Sequence, residues 1–386
     1  MKLDFLVLIC LTVSSLCKAQ SINGIVLDLK TNAPIESAAV YFDNTTIGTS
    51  TNDKGEFEIE QNTNVTSDLI ISFLGYEKVT ISDYDADSFY KVLLQESTNT
   101  LDEVIITSFD GMSKALKLEY FRREFLGLSK AAQSCKILNE DDLILRFDQD
   151  SKQLTVYAKQ PIQVQNDYLN YIVAFEIEQF YIDFSYVNID RQSFAVKSIF
   201  YKGTSYYNLG EAINSKRIIK NRQKVYEGSV LHFMRALSKG QLKEENYTIA
   251  SGGFIVNPEK YISVSRADRN AFYTVKMRTP LSVFYKGELQ SDIKTPKKYG
   301  LQIEKAEQKK KPFPFKDGDT ITSSRLTMSL ENSKKVKKAR PYFDLEFFID
   351  SFGNYSPIEA FFFIGHMGAL RVGDSLPLDF ELKDQK

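Results

Sequence analysis

Between Ser21 and Thr107, short apolar runs recur with turn chemistry between them. The spacing of about eight to twelve residues leaves few folds open, because each run is long enough for a strand and too short for a buried helix. Ile22 to Asp28 is the first run, and Thr31-Asn32-Ala33-Pro34 turns the chain, with Pro34 fixing its own φ. Ala38 to Phe42 and Thr46 to Ser50 follow, then the tight turn Asn52-Asp53-Lys54-Gly55. Glu56 to Glu60 alternates, with Phe57 and Ile59 on one face. Asp68 to Leu74, Tyr76 to Ile81, Phe89 to Leu94 and Val104 to Thr107 complete the unit, which reads as an all-β sandwich.

These residues carry a resemblance. The order I-x-G-x-V-x-D, T-N-A-P-I-x-x-A-x-V, I-G-T-x-T-N-D-K-G-x-F-x-I, L-x-I-S-x-L-G-Y and L-D-E-V resembles the carboxypeptidase regulatory-like domain. The resemblance implies a transthyretin-like sandwich of seven or so strands. It also implies an accessory module common at the start of bacterial envelope proteins, TonB-dependent receptors among them. Too few residues remain after Thr107 for a receptor plug and a barrel of ~22 strands, so the receptor reading is set aside.

Ahead of the sandwich, residues 1–19 read as a secretory signal: Lys2, the apolar stretch Phe5 to Val13, and small residues Cys17 and Ala19 before an expected cleavage after Ala19. Acylation of Cys17 is the alternative, opposed by the bulky Leu16 before it. Cleavage leaves Cys135 as the remaining cysteine, so the exported chain relies on its core and makes no internal disulfide. No later run reaches the ~18 apolar residues of a membrane-spanning helix.

The expected organisation is a signal at 1–19, the sandwich at 21–107, a helical connector at 108–133 and a larger β-rich α+β domain at 134–386, so the fold class is mainly β. The length and 43% hydrophobic content suit two or more domains, and 21 Tyr and 28 Phe suit pleated surfaces. Ser113 to Leu128 has helical spacing and a stop at Gly127. Leu143 to Phe147 and Leu154 to Tyr157 flank the turn Asp148 to Lys152. The apolar parity of Val173, Phe175 and Ile177 shifts by one before Phe180, Ile182 and Phe184, which predicts a bulge at Glu178-Gln179. Ser193 to Phe200 and Ser205 to Leu209 read as further strands. Ser229 caps a helix through Leu237, with Val230, Phe233, Met234 and Leu237 as its apolar stripe. Tyr342 to Ile349 and Ile358 to Ile364 read as buried strands near the end.

This region is also similar to blocks of bacterial envelope proteins that carry the same opening sandwich. The similar stretches are FLGLSKAAQSCKILN, PIQVQNDYLNY, YEGSVLHFMRAL, GNYSPI and RVGDSLPL. The resemblance implies one integral second domain and no particular activity.

A zinc carboxypeptidase needs a His with a Glu three residues on and a second, distant His. Arg235 follows His232 at that spacing and Ala369 follows His366, so metallocarboxypeptidase activity is not expected. Motifs of nucleophilic hydrolases, redox dithiols and phosphate-binding loops do not occur, and nothing calls for a metal or cofactor. Asn52, Asp53 and Glu56 lack calcium-loop spacing and serve a turn. With a net charge of −1, no bulk field selects nucleic acid.

One candidate anion site emerges. Ser229, His232 and Arg235 lie at the start of a helix, behind the basic stretch containing Arg217, Arg222 and Lys224. The alternative for that stretch is a solvated β-edge guarded by lysines. Lys309-Lys310-Lys311 with Phe313 and Phe315 suits contact with a membrane or partner, or an ordinary exposed loop. The Lys334 to Arg340 cluster reads like the first basic stretch, as an anion site or a guarded β-edge, and peripheral membrane association through these basic segments is a third reading of the whole protein. Together these features suggest an exported periplasmic, outer-membrane or cell-surface protein without catalytic function, binding an envelope protein or glycan through its sandwich. A hydrolase or transferase acting on an envelope polymer is the alternative, and it expects a pocket in the second domain with converging acids and aromatics.

Overall fold

Strand β1 (Ser21–Asp28) buries Ile22 and Val26, and it lies between a parallel and an antiparallel neighbour. The computed structural model describes residues 21–60, 66–85, 88–97, 109–211, 215–266, 272–296 and 343–382, and the backbone of 320–322. Residues 1–19, read as a signal, Val104 to Thr107, the Lys309 to Phe315 segment and the Lys334 to Arg340 cluster therefore lie outside the described residues.

The sandwich has seven strands. They are β1, β2 (Ala39–Phe42), β3 (Gly48–Ser50), β4 (Glu56–Glu60), β5 (Leu69–Ser72), β6 (Val79–Ile81) and β7 (Phe89–Leu94). One sheet runs β7-β1-β4 and the other β3-β2-β5-β6. On β4, Phe57 and Ile59 point inward and Glu56, Glu58 and Glu60 outward, the alternation of a half-buried strand with a charged edge. Gly24 has a packing reason: a Cβ there would collide with the Tyr90 carbonyl and the Phe57 ring.

Helix α1 (Lys114–Leu126) starts at Ser113, whose hydroxyl accepts from the Leu116 N–H, and stops at Gly127 (φ 97°). The stretch read as a connector contributes to the second core: Phe121 and Phe125 are fully buried and stack with centroids 5.0 Å apart. Their partners come from a six-stranded sheet. Its strands are β8 (Cys135–Ile137), β9 (Leu143–Asp148), β10 (Gln153–Ala158), β11 (Ile162–Asn166), β12 (Tyr171–Asn188) and β13 (Ser193–Leu209). A short helix α2 (Lys130–Gln133) precedes β8. The register of β12 against β13 slips between Ile177 and Gln179, where the apolar parity changes. The two runs expected after Ser193 form one strand, β13, which keeps pairing because Gly203 lets it pass over the Phe175 ring.

Helix α3 (Lys216–Tyr226) replaces the expected β-edge. Ile218, Arg222 and Tyr226 recur every four residues and make its buried face, a helical period that the dense positive charge masked. Helix α4 (Val230–Ser238) follows, capped by Ser229. Its Phe233, Met234 and Leu237 anchor a third core, built by two more sheets. One contains β14 (Tyr247–Ser251), β15 (Phe254–Ile255), β18 (Leu281–Tyr285), β19 (Leu289–Lys294) and β23 (Phe362–Gly365). The other contains β16 (Ile262–Arg266), β17 (Phe272–Met277), β21 (Leu345–Asp350) and β22 (Tyr355–Ser356). The backbone of β20 (Thr320–Thr322) runs parallel to β7. Ile358–Ala360 is a 3-10 turn in place of the start of an expected strand, and helix α5 (His366–Ala369) follows β23, which is largely exposed.

The sandwich is clamped to the second region. Asn44 N donates to Ser205 O at 2.8 Å and Tyr207 N to Thr45 O at 3.0 Å, so β13 extends onto the sandwich loop. Tyr41 OH meets Thr204 Oγ1 at 3.2 Å, and the Lys78 ammonium lies 3.0 Å from Glu178. The C-terminal segment joins them: Leu378 N donates to Asn44 O at 2.6 Å, and Thr46 bonds Asp379 through both its N–H and its hydroxyl.

Candidate functional site

A cavity of about 340 Å³ opens where the sandwich, the β12–β13 hairpin, the start of α4 and the C-terminal segment meet. The sandwich supplies Asn44, the hairpin supplies Phe175, Tyr201, Ser205 and Tyr207, and α4 supplies Val230 and Leu231 behind Ser229. The β21–β22 turn supplies Gly353, Asn354 and Tyr355, and the final stretch supplies Arg371, Val372, Asp374 and Leu376. Three of the stretches quoted above for their resemblance, YEGSVLHFMRAL, GNYSPI and RVGDSLPL, therefore converge on one space.

Each wall is fixed by local chemistry. The turn after β21 is held by Asp350, whose carboxylate accepts from Phe352 N at 2.8 Å and Asn354 N at 2.9 Å. Asp350 also takes the Thr66 hydroxyl from the sandwich at 2.5 Å. Burial raises its carboxyl above the usual range, and these bonds oppose the rise. Asp374 closes a 3-10 turn after Arg371 and accepts the Ser129 hydroxyl. Burial raises Asp374 as well, with the Ser129 bond working against it. Tyr207 OH donates to Ser375 Oγ at 2.8 Å, which donates onward to Val372 O at 2.7 Å.

Two wall hydroxyls remain open. Tyr201 OH and Tyr355 OH hydrogen-bond to no described residue, although each lines the cavity. Burial raises the Tyr201 phenol, which the nearby Arg371 charge opposes; burial pushes Tyr355 up to about 12, with Tyr201 adding to the rise. Both are neutral donors at neutral pH. Arg371 Nη1 donates to Leu370 O at 2.8 Å and to Gly368 O, leaving Nε and Nη2 without a described partner.

The residues read as an anion site are dispersed. Arg217 and Lys224 are exposed on α3. Arg222 is buried and donates to Leu169 O at 2.8 Å and Asn170 O at 3.2 Å, with its guanidinium 3.9 Å from the centre of the Tyr171 ring. Arg235 donates to Phe352, Phe380 and Leu378 carbonyls, all at 2.8 Å. His232 Nδ1 accepts the Gly228 N–H at 3.1 Å, which leaves Nε2 to carry the proton toward Glu245 Oε2 at 3.0 Å. Of the six, Ser229 reaches the cavity, and its oxygen accepts the His232 N–H at 3.1 Å. Main-chain carbonyls and aromatic faces are the partners of these buried cations, an arrangement that charge pattern alone does not announce.

Arg371, Tyr201 and Tyr355 were not singled out from sequence. An Arg beside Val-Gly-Asp and a Tyr in a strand are ordinary residues until the fold brings residues more than 150 positions apart together. Cys135 stands near this region, but burial and then the Asp374 and Asp167 charges push its thiol up to about 12, the opposite of an activated nucleophile. Among the described residues, His, Cys, Asp and Glu form no group of three suited to a metal ion.

No curated protein matches the chain. The sandwich is another matter: residues 22–106 match the family described as the CarboxypepD_reg-like domain, and this part of the chain is a domain of that family.

Proposed function

We propose that the protein is a non-catalytic binding protein of the bacterial cell envelope, and that its ligand occupies the cavity at the junction of the sandwich and the second region. The observation that carries this reading is the cavity itself, with aromatic and apolar walls and two tyrosine hydroxyls that bond to no described residue. Its volume is at the lower end of small-molecule sites, which span roughly 300–1,000 Å³. Its acid, Asp374, is engaged by Ser129, so the walls offer contacts for binding and no paired carboxylates for acid–base chemistry.

In this reading the sandwich acts as one wall and a brace. Its β3-β2-β5-β6 sheet faces the hairpin through Tyr41, Ser72 and Lys78, which leaves the β4 side for an envelope protein or glycan. The export pattern of residues 1–19 supports the compartment.

Fractionation of cells expressing the full chain tests the location, with recovery in the envelope expected and recovery in the cytoplasm contradicting it. Thermal unfolding with a small-molecule extract of that envelope tests the cavity, because a ligand that binds only the native state raises Tm. The wild type is expected to shift and Leu231→Trp, which fills the cavity, is not. An equal shift in both proteins overturns the assignment.

A further inference from the structure

We propose that the cavity takes a monocarboxylate with an apolar body of several carbons. This rests on the reading of the cavity as a ligand site and adds the chemistry of the ligand.

The lining of the cavity is rich in donors. Arg371 is anchored through Nη1 to two main-chain carbonyls, which sets the plane of its guanidinium and leaves Nε and Nη2 without a partner among the described residues. Those two N–H groups form the fork that matches a carboxylate. Tyr201 and Tyr355 line the same cavity as Arg371, and neither hydroxyl bonds to a described residue. A carboxylate has lone pairs for all of these donors, an alcohol has fewer, and an ammonium has none.

Asp374 also lines the cavity and its carboxylate interacts electrostatically with Arg371, but the two make no direct ion pair. Its oxygens accept the Ser129 hydroxyl and, at 3.4 Å, the main-chain N–H of Arg371, and it forms no ion pair within 4.0 Å of that guanidinium. The rest of the lining is apolar, with Phe175, Leu231, Ile358, Met367 and Leu370 in the wall. A cationic side chain set among hydrocarbon walls favours an anion with an apolar body over a free inorganic anion, which has none to desolvate.

Titration calorimetry of the full chain with octanoate, octanol and octylamine tests this. Octanoate is expected to bind at least ~tenfold more tightly than octanol, the difference that charge-assisted hydrogen bonds supply, and octylamine to bind weakest. Arg371→Met is expected to remove the preference for octanoate. Tyr201→Phe with Tyr355→Phe keeps both rings and is expected to weaken octanoate about tenfold while leaving octanol within about threefold. Octanol binding as tightly as octanoate overturns the carboxylate assignment and leaves the cavity reading standing. Binding by none of the three, while envelope extract still raises Tm, also overturns the carboxylate assignment alone. Failure of the extract as well overturns both.

Discussion

The guanidinium of Arg235 donates from Nη2 to the main-chain oxygen of Leu378 at 2.8 Å. The same side chain reaches Phe380 O and Phe352 O, so one residue of α4 fixes both the C-terminal segment and the β21–β22 turn. Both of those elements line the cavity, and Arg235 is thus its positioning residue.

Arg235→Met therefore leaves three carbonyls without their donor. The expected loss of stability is about 3 kcal/mol or more, since each buried acceptor left unpaired costs ~1–3 kcal/mol. Urea unfolding measures it. Limited trypsin digestion is expected to show faster cleavage near the end of the chain, and Arg235→Lys to lie between the two.

Protonation of His232 gives a pH dependence. Burial lowers its pKa, and the Glu245 bond opposes that shift. The folded state thus binds this proton less readily than the unfolded chain, so the contribution is present above ~6.5 and is lost as pH falls below it. Protonation also turns Nδ1 from acceptor to donor against the Gly228 N–H. The stability difference between wild type and His232→Gln is expected to shrink between pH 7.5 and pH 5 in urea titrations.

Asp43 gives the opposite sign. Burial pushes this interface carboxyl up to about 7, with the Ser205 N–H bond at 2.8 Å opposing the shift. A raised pKa favours the folded state at low pH, and that advantage is lost as pH rises from the unfolded value of ~3.9 through 7. The stability of wild type relative to Asp43→Asn is expected to fall across this window. An unchanged difference from pH 5 to pH 8 contradicts the assignment.

Docking of the sandwich onto the hairpin depends on Gly48. A Cβ there would lie 2.6 Å from the Tyr206 ring, in the contact that also places Tyr41 and Tyr206 at a centroid distance of 5.4 Å. Gly48→Val is expected to cost about 1–3 kcal/mol by overpacking and to expose the interface to proteolysis. Gly75→Ala, with open space around its Cβ position but a φ of 85°, is expected to strain its own turn and leave the interface closed.

The strands of the sandwich were legible because alternation and turn residues are local signals. Phe57 and Ile59 face inward as their spacing requires, and the parity slip after Ile177 marks a real break in register. Helix α3 was not legible in the same way. Its apolar stripe is thin, and Arg222, one of its buried residues, is held by carbonyls from a distant turn. The cavity was less legible still. Tyr201, Tyr355 and Arg371 come from three separate elements, and their proximity is a property of how β13, β22 and the final stretch pack. Three of the five stretches quoted for their resemblance line the cavity, a shared destination visible only in three dimensions.

The most direct test of the central claim is a native mass spectrum of the full chain, purified from its native host without denaturation. The account predicts a bound small molecule on the wild type that is absent from Leu231→Trp. A wild-type spectrum showing the chain mass alone, unchanged after incubation with envelope extract, would contradict the claim that the junction cavity is a ligand site.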